Sequence, residues 1–179
     1  MRNLSVPVGP LDHSTGPANA PVTLVEYGDY ACSHCGASYT TIKAVQLAMG
    51  KQLRFVFRNF PVTTQHPHGL RAAQLAEAAS HVGQFWLAHD MLYAHQHALT
   101  DIDLMRYGSG VGVNALALRE AFDRRFDRKI ESDFMSGMHS GVNSTPAMFI
   151  NGSRYDGPRD VDSLIAALSQ VAQFVLARV

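Results

Sequence analysis

The residues of this chain with the most chemistry in them are its two cysteines, Cys32 and Cys35, set in the run Asp29-Tyr30-Ala31-Cys32-Ser33-His34-Cys35-Gly36. With two residues between them, they stand one turn apart if a helix opens there. A pair in that setting does thiol–disulfide exchange, because the thiolate is the nucleophile and the second thiol can resolve a mixed disulfide formed on the first. The same spacing is poor structural glue, since closing so small a loop takes little entropy from the unfolded chain. At a helix mouth the unpaired N–H groups and the positive end of the dipole favour an anion, which lowers the pKa of Cys32. His34, between the two thiols, can add positive charge or a hydrogen bond to the Cys32 thiolate. A more stable thiolate makes the reduced form more stable and the disulfide a stronger oxidant.

The elements that must position this pair can be read on either side. Residues 22–27 are β-branched and apolar and predict a buried strand; residues 37–49 have a helical composition; residues 53–57 predict a second strand, parallel to the first. Residues 1–21, with four prolines, predict an irregular lead-in with a short extended piece at 4–8. From Pro67 the pattern turns helical, over 69–81 and 84–95. A capping box at Thr100–Asp103 opens a short helix to Tyr107. Asn114 caps another, with Leu116, Leu118 and Phe122 inward, and 124–140 predicts a further helix. Residues 147–150, Asn151-Gly152 and 153–155 read as a hairpin, and Asp160 caps a last amphipathic helix. The plan is β-α-β, a helical block, then β-β-α.

The chain has 179 residues, a formal net charge of zero and 46% hydrophobic residues, enough for one domain with its own core. Without a basic cluster, nothing in the charge pattern suggests nucleic acid or an anionic membrane surface. No apolar run approaches the ~18 residues that span a bilayer. Residues 1–10 carry no continuous apolar segment of the signal-peptide kind. The expectation is a cytoplasmic location as written, and an exported one if a signal peptide has been removed.

Several separate features together resemble the DsbA-like branch of the thioredoxin superfamily, from about Ala20 to about Leu168. Cys32-Ser33-His34-Cys35 follows the first strand, and Glu26 stands six residues before Cys32. The helical block falls between the βαβ and ββα halves, and Gly141-Val142-Asn143-Ser144-Thr145-Pro146 matches the family's cis-proline loop. The text around residues 25–30 and His66-Pro67-His68 is similar to bacterial domains that lack signal peptides, some of them fused to sodium/proton antiporters. The resemblance implies an α/β, thioredoxin-like fold in one domain, with halves at 20–62 and 141–179 and a helical insertion at 63–140. It also implies roles. A cis Pro146 would set the Thr145 backbone beside the thiols, where an extended substrate chain could pair with it. A buried Glu26 would have a raised pKa and could take the proton that Cys35 must lose.

The reading that follows is a thiol–disulfide oxidoreductase needing no metal or organic cofactor, acting on protein or peptide thiols and disulfides and recycled by an unknown redox partner. The alternative is a thioredoxin-like binding module, redox-inactive or holding zinc through Cys32 and Cys35 with His66 and His68 as further ligands. A glutathione-dependent isomerase is disfavoured, because the relatives known for that chemistry carry a serine at the helix start. The direction of electron flow is left open: His34 argues for an oxidising pair, the lack of a signal peptide for a reducing compartment.

Overall fold

The computed structural model describes residues 3–177. Its centre is a five-stranded sheet in the order β1-β3-β2-β4-β5. The strands are β1 (His13–Thr15), β2 (Val22–Gly28), β3 (Leu53–Asn59), β4 (Ala147–Ile150) and β5 (Ser153–Tyr155). The central strand β2 runs parallel to β3 and antiparallel to β4, with β1 and β5 added antiparallel at the margins. Helix α1 (Ser33–Met49) makes the crossover between the parallel pair, as parallel strands require.

Strand alternation sorts the side chains onto two faces. On one, Leu24, Phe55, Phe57, Met148 and Ile150 pack under Ile42 and Val45 of α1 and under Leu164 and Leu168 of α7 (Val161–Leu176). On the other, Val25, Tyr27, Val56 and Phe149 form a second core. Phe134 of α6 (Asp127–His139) stacks there on Phe60 at 4.3 Å. Glu26 falls on the α1 face by the same alternation. Between β3 and α6 stand α2 (Gly69–Ser80), α3 (Phe85–Ala94), α4 (Asp101–Gly110) and α5 (Ala115–Glu120). Their starts follow the caps seen in the sequence. Thr100 and Asp103 form a reciprocal capping box, and the Asn114 and Asp160 side chains accept from the N–H groups of Ala117 and Ser163. Asn151 and Gly152 both have positive φ, 44° and 85°, as the tight hairpin turn demands.

The structure departs from the sequence reading at four places. Strand β1 was not foreseen, because His-Ser-Thr has no apolar alternation. It is held instead by pairing with β3, by stacking of His13 on Phe85 and by the bond from His13 Nε2 to Glu77. The extended piece expected at 4–8 is not a strand; the Val6 and Pro7 carbonyls accept from the buried Arg58 guanidinium. The helix expected from 124 begins only at Asp127. Arg124 has φ 75°, ending a π-type turn at Ala121–Arg125 in which Arg71 Nη1 captures the Phe122 carbonyl at 2.6 Å. Leu116, expected inward, is 67% exposed; the short α5 buries Leu118 and packs Ala117 against the core instead.

Candidate active site

Cys32 is the residue at the mouth of α1. It has an extended backbone (φ −83°, ψ 119°), no side-chain capping bond and almost no exposed surface. Serine or aspartate usually holds such a position and accepts from the second and third N–H groups of the helix. A sulfur stands there instead. The Cys35 thiol is the largest influence drawing its pKa down. Burial acts against this, and the Thr145 side chain and the backbone N–H groups of Cys35 and His34 assist it, bringing Cys32 to about 5. As a thiol, Cys32 donates to the Thr145 carbonyl at 3.5 Å. The Thr145–Pro146 peptide bond is cis, and Pro146 is buried.

Cys35 is fully buried in the first turn of α1. Burial pushes its thiol well above the usual range, and the neighbouring Cys32 and Glu26 add to this. Its sulfur accepts one donor, the Asp29 backbone N–H, at 3.5 Å. The two thiols of one motif are thus opposites: one poised as an anion, the other kept protonated.

Glu26, on the central strand, is 2% exposed, and its Oε1 has no hydrogen-bond partner. Burial raises its pKa to about 8, against the nearby Ser38 hydroxyl and the charge of Arg159. It lines a cavity of about 340 Å³ with Tyr39, Lys43, His89 and Asp90. The cavity is lined both by this buried carboxyl and by the surface pair Lys43–Asp90, with Ile42, Phe55 and Trp86 as apolar wall. The His34 imidazole is exposed and lines a small cavity with Pro146 and Arg159, while its backbone N–H serves Cys32.

Two side chains that sequence reasoning assigned no part in the site hold its entry turn. The Asp29 carboxylate, 1% exposed, accepts from Ala31 N, from Val62 N and from His66 Nδ1 at 2.9, 2.8 and 2.8 Å. Gln96, in the turn after α3, donates through Nε2 to the Tyr30 and Cys32 carbonyls. The acidic residue just before the motif was a visible signal for Asp29; for Gln96 there was none, since 64 residues separate it from Cys32. His66 and His68, the further ligands of the zinc alternative, stand apart in role. His66 is bonded to Asp29 and His68 precedes α2 as its N-cap residue. Among the described residues no group of three or more His, Cys, Asp or Glu side chains gathers as a metal site.

A sheet of this order, with a Cys-x-x-Cys pair at the mouth of the crossover helix and a cis-proline loop facing it, defines a thioredoxin-like domain. The chain belongs to the thioredoxin family: the family model described as Thioredoxin matches residues 10–170. It is similar to Na(+)/H(+) antiporter NhaA 3 of Salinispora tropica, 40% identical over 98% of this chain and 27% of that protein. A second relative is the Na(+)/H(+) antiporter NhaA of Herminiimonas arsenicoxydans, 35% identical over 92% and 26%. The chain spans about a quarter of the length of these relatives. Among solved structures, oxidised BdbD from Bacillus subtilis shares the fold with a TM-score of 0.82 at 20% identity, covering 91% of this chain and 94% of that one. Alpha-DsbA1 from Wolbachia pipientis does so with 0.79 at 20% identity, over 98% and 97%. Among the described residues no helix is long and apolar enough to cross a membrane.

Proposed function

We propose that this domain is a thiol–disulfide oxidoreductase that exchanges a Cys32–Cys35 disulfide with protein or peptide thiols. The observation that carries the reading is the opposition of the two sulfurs, Cys32 drawn down to about 5 at the helix mouth and Cys35 buried and held protonated. Starting from the disulfide, a substrate thiolate attacks the Cys32 sulfur. The Cys32–Cys35 bond breaks, its electron pair leaves on Cys35, and a mixed disulfide forms on Cys32. Cys35 takes up a proton, for which the Glu26 carboxyl is the nearby donor. A second substrate thiolate then attacks the substrate sulfur of the mixed disulfide and releases Cys32 as a thiolate. The substrate leaves oxidised and the pair reduced. In reverse, the Cys32 thiolate opens a substrate disulfide, Glu26 as carboxylate accepts the Cys35 proton, and Cys35 resolves the intermediate.

The stability of the Cys32 thiolate favours the first direction, because it lowers the free energy of the reduced pair. The Thr145 backbone, beside the sulfurs, is the seat for an extended substrate chain. Three proteins test this: the parent, Cys32→Ser and Cys35→Ser, each given a disulfide peptide. Cys32→Ser is expected to lose exchange, and Cys35→Ser to accumulate a mixed disulfide on Cys32. Full activity in Cys32→Ser would end the proposal. Equilibration of the parent with glutathione gives the direction, an oxidising pair being expected.

A further inference from the structure

Cys32 opens α1 without a capping side chain, so something else must fix its backbone. Its own N–H is held by the Asp29 carbonyl at 3.1 Å, and its carbonyl accepts from the Gly36 N–H at 3.1 Å. The remaining restraint comes from the helical block. The single NH₂ group of Gln96 reaches the Tyr30 carbonyl at 2.7 Å and the Cys32 carbonyl at 3.0 Å. Its two hydrogens thereby hold the two peptide units that flank the Ala31–Cys32 peptide.

Gly36 makes room for this. It sits in the first turn of a regular helix, with no positive φ to call for glycine, in a place where glycine weakens a helix. A Cβ built on it would overlap Oε1 of Gln96 and lie 2.8 Å from its Cδ. The glycine is the floor on which the carboxamide rests.

We propose that Gln96 is a positioning residue for Cys32: seated against Gly36, its carboxamide holds the Tyr30 and Cys32 carbonyls so that the free N–H groups of α1 converge on the Cys32 sulfur. This rests on the reading of Cys32 as the reactive thiolate. The amide hydrogens also satisfy two carbonyl oxygens of the turn that carries that sulfur. Released, the turn relaxes, the N–H groups lose their aim and the thiolate loses part of its stabilisation.

The test is a titration of the Cys32 thiolate by its ultraviolet absorbance in the parent, Gln96→Ala, Gly36→Ala and the double variant. Gly36→Ala keeps every hydrogen-bonding group and removes only the seat, so it decides the matter if Gln96→Ala does not fold. Each single change is expected to raise the midpoint by about one pH unit, a tenfold loss of thiolate at a given pH below it. The double variant is expected to match a single one, because both act through one contact. In the Gln96→Ala background, Gly36→Ala should also raise the unfolding midpoint, which a helix freed of the clash would do. A parent with a low midpoint and single variants identical to it would overturn the proposal, as would full additivity. A parent that titrates as an ordinary thiol would overturn the oxidoreductase reading and this inference together.

Discussion

His66 Nδ1 lies 2.8 Å from Oδ2 of Asp29, and the Asp29 backbone N–H in turn points at the Cys35 sulfur from 3.5 Å. One residue therefore joins the start of the helical block to the Cys35 thiol. The carboxylate ties down the Ala31 and Val62 amides as well. Asp29→Ala strands these donors in a largely buried place and is expected to cost about 2–3 kcal/mol, read from urea unfolding. It is also expected to prolong the life of the mixed disulfide on Cys32, since the donor facing Cys35 is no longer fixed. An unchanged lifetime in a folded Asp29→Ala protein would separate this joint from the chemistry.

The Glu26 carboxyl sets a pH dependence with a definite sign. Burial raises its folded-state pKa from 4.5 to about 8, so the folded protein binds this proton more tightly than the unfolded chain does. Its favourable contribution is full below about 4.5 and is lost as pH rises toward 8, with a slope of up to about 1.4 kcal/mol per pH unit. Glu26→Gln keeps a neutral polar group of the same shape and is expected to flatten that slope. It is also expected to slow proton transfer at Cys35, seen as a lower exchange rate that no longer rises between pH 6 and pH 8, roughly the upper part of this window.

Cys32 runs the opposite way. Its folded-state pKa is depressed from 9.0 to about 5, so it stabilises the reduced protein above the unfolded value and loses that effect as pH falls through about 5. The disulfide form has no such proton to bind. The difference in unfolding free energy between reduced and oxidised protein is therefore expected to shift in favour of the reduced form between about pH 5 and pH 9. Calorimetry of both forms across that range checks it. A difference constant with pH would contradict the depressed thiol.

The buried Arg58 is bound twice by Asp12, Nε to Oδ1 at 2.7 Å and Nη2 to Oδ2 at 2.9 Å, and donates to the Tyr27 hydroxyl. Burial alone would raise the Asp12 pKa, but the bonds and charge of Arg58 lower it. Asp12→Ala leaves a buried cation without its partner and is expected to destabilise by roughly 3 kcal/mol. The pair lies on the sheet face away from α1, so the Cys32 thiolate midpoint is expected to be unchanged.

The parts of the fold legible in the sequence are those whose physics is local. Residues 22–27 announce a buried strand by β-branching, Thr100, Asn114 and Asp160 announce helix starts by their capping groups, and Asn151-Gly152 announces a hairpin by its tolerance of positive φ. The break at Arg124 was hidden because its cause lies elsewhere: Arg71 holds the Phe122 carbonyl across 51 residues. Strand β1 was hidden for a similar reason, its residues being shaped by Phe85 and Glu77 rather than by their own pattern. At the site, the spacing of the thiols and the odd carboxyl of Glu26 were visible, whereas Gln96 looks like any polar turn residue until the fold lays it across Gly36.

The first described residues cross the sheet from side to side. Asn3 bridges to Ser153 at the β5 margin, Leu4 and Val8 rest on the second core, and His13–Thr15 pairs with β3 at the opposite margin. This segment acts as a belt buckled at both ends. The margin strands it leaves are only three residues long, too short to template a flat, aggregating assembly of copies. Extended chains therefore find little purchase along the rim of the sheet, and promiscuous strand addition there is disfavoured. The backbone at Thr145, proposed as the substrate's seat, lies next to the Cys32 sulfur and away from that rim, so that capture of a chain and delivery of its thiol become one event.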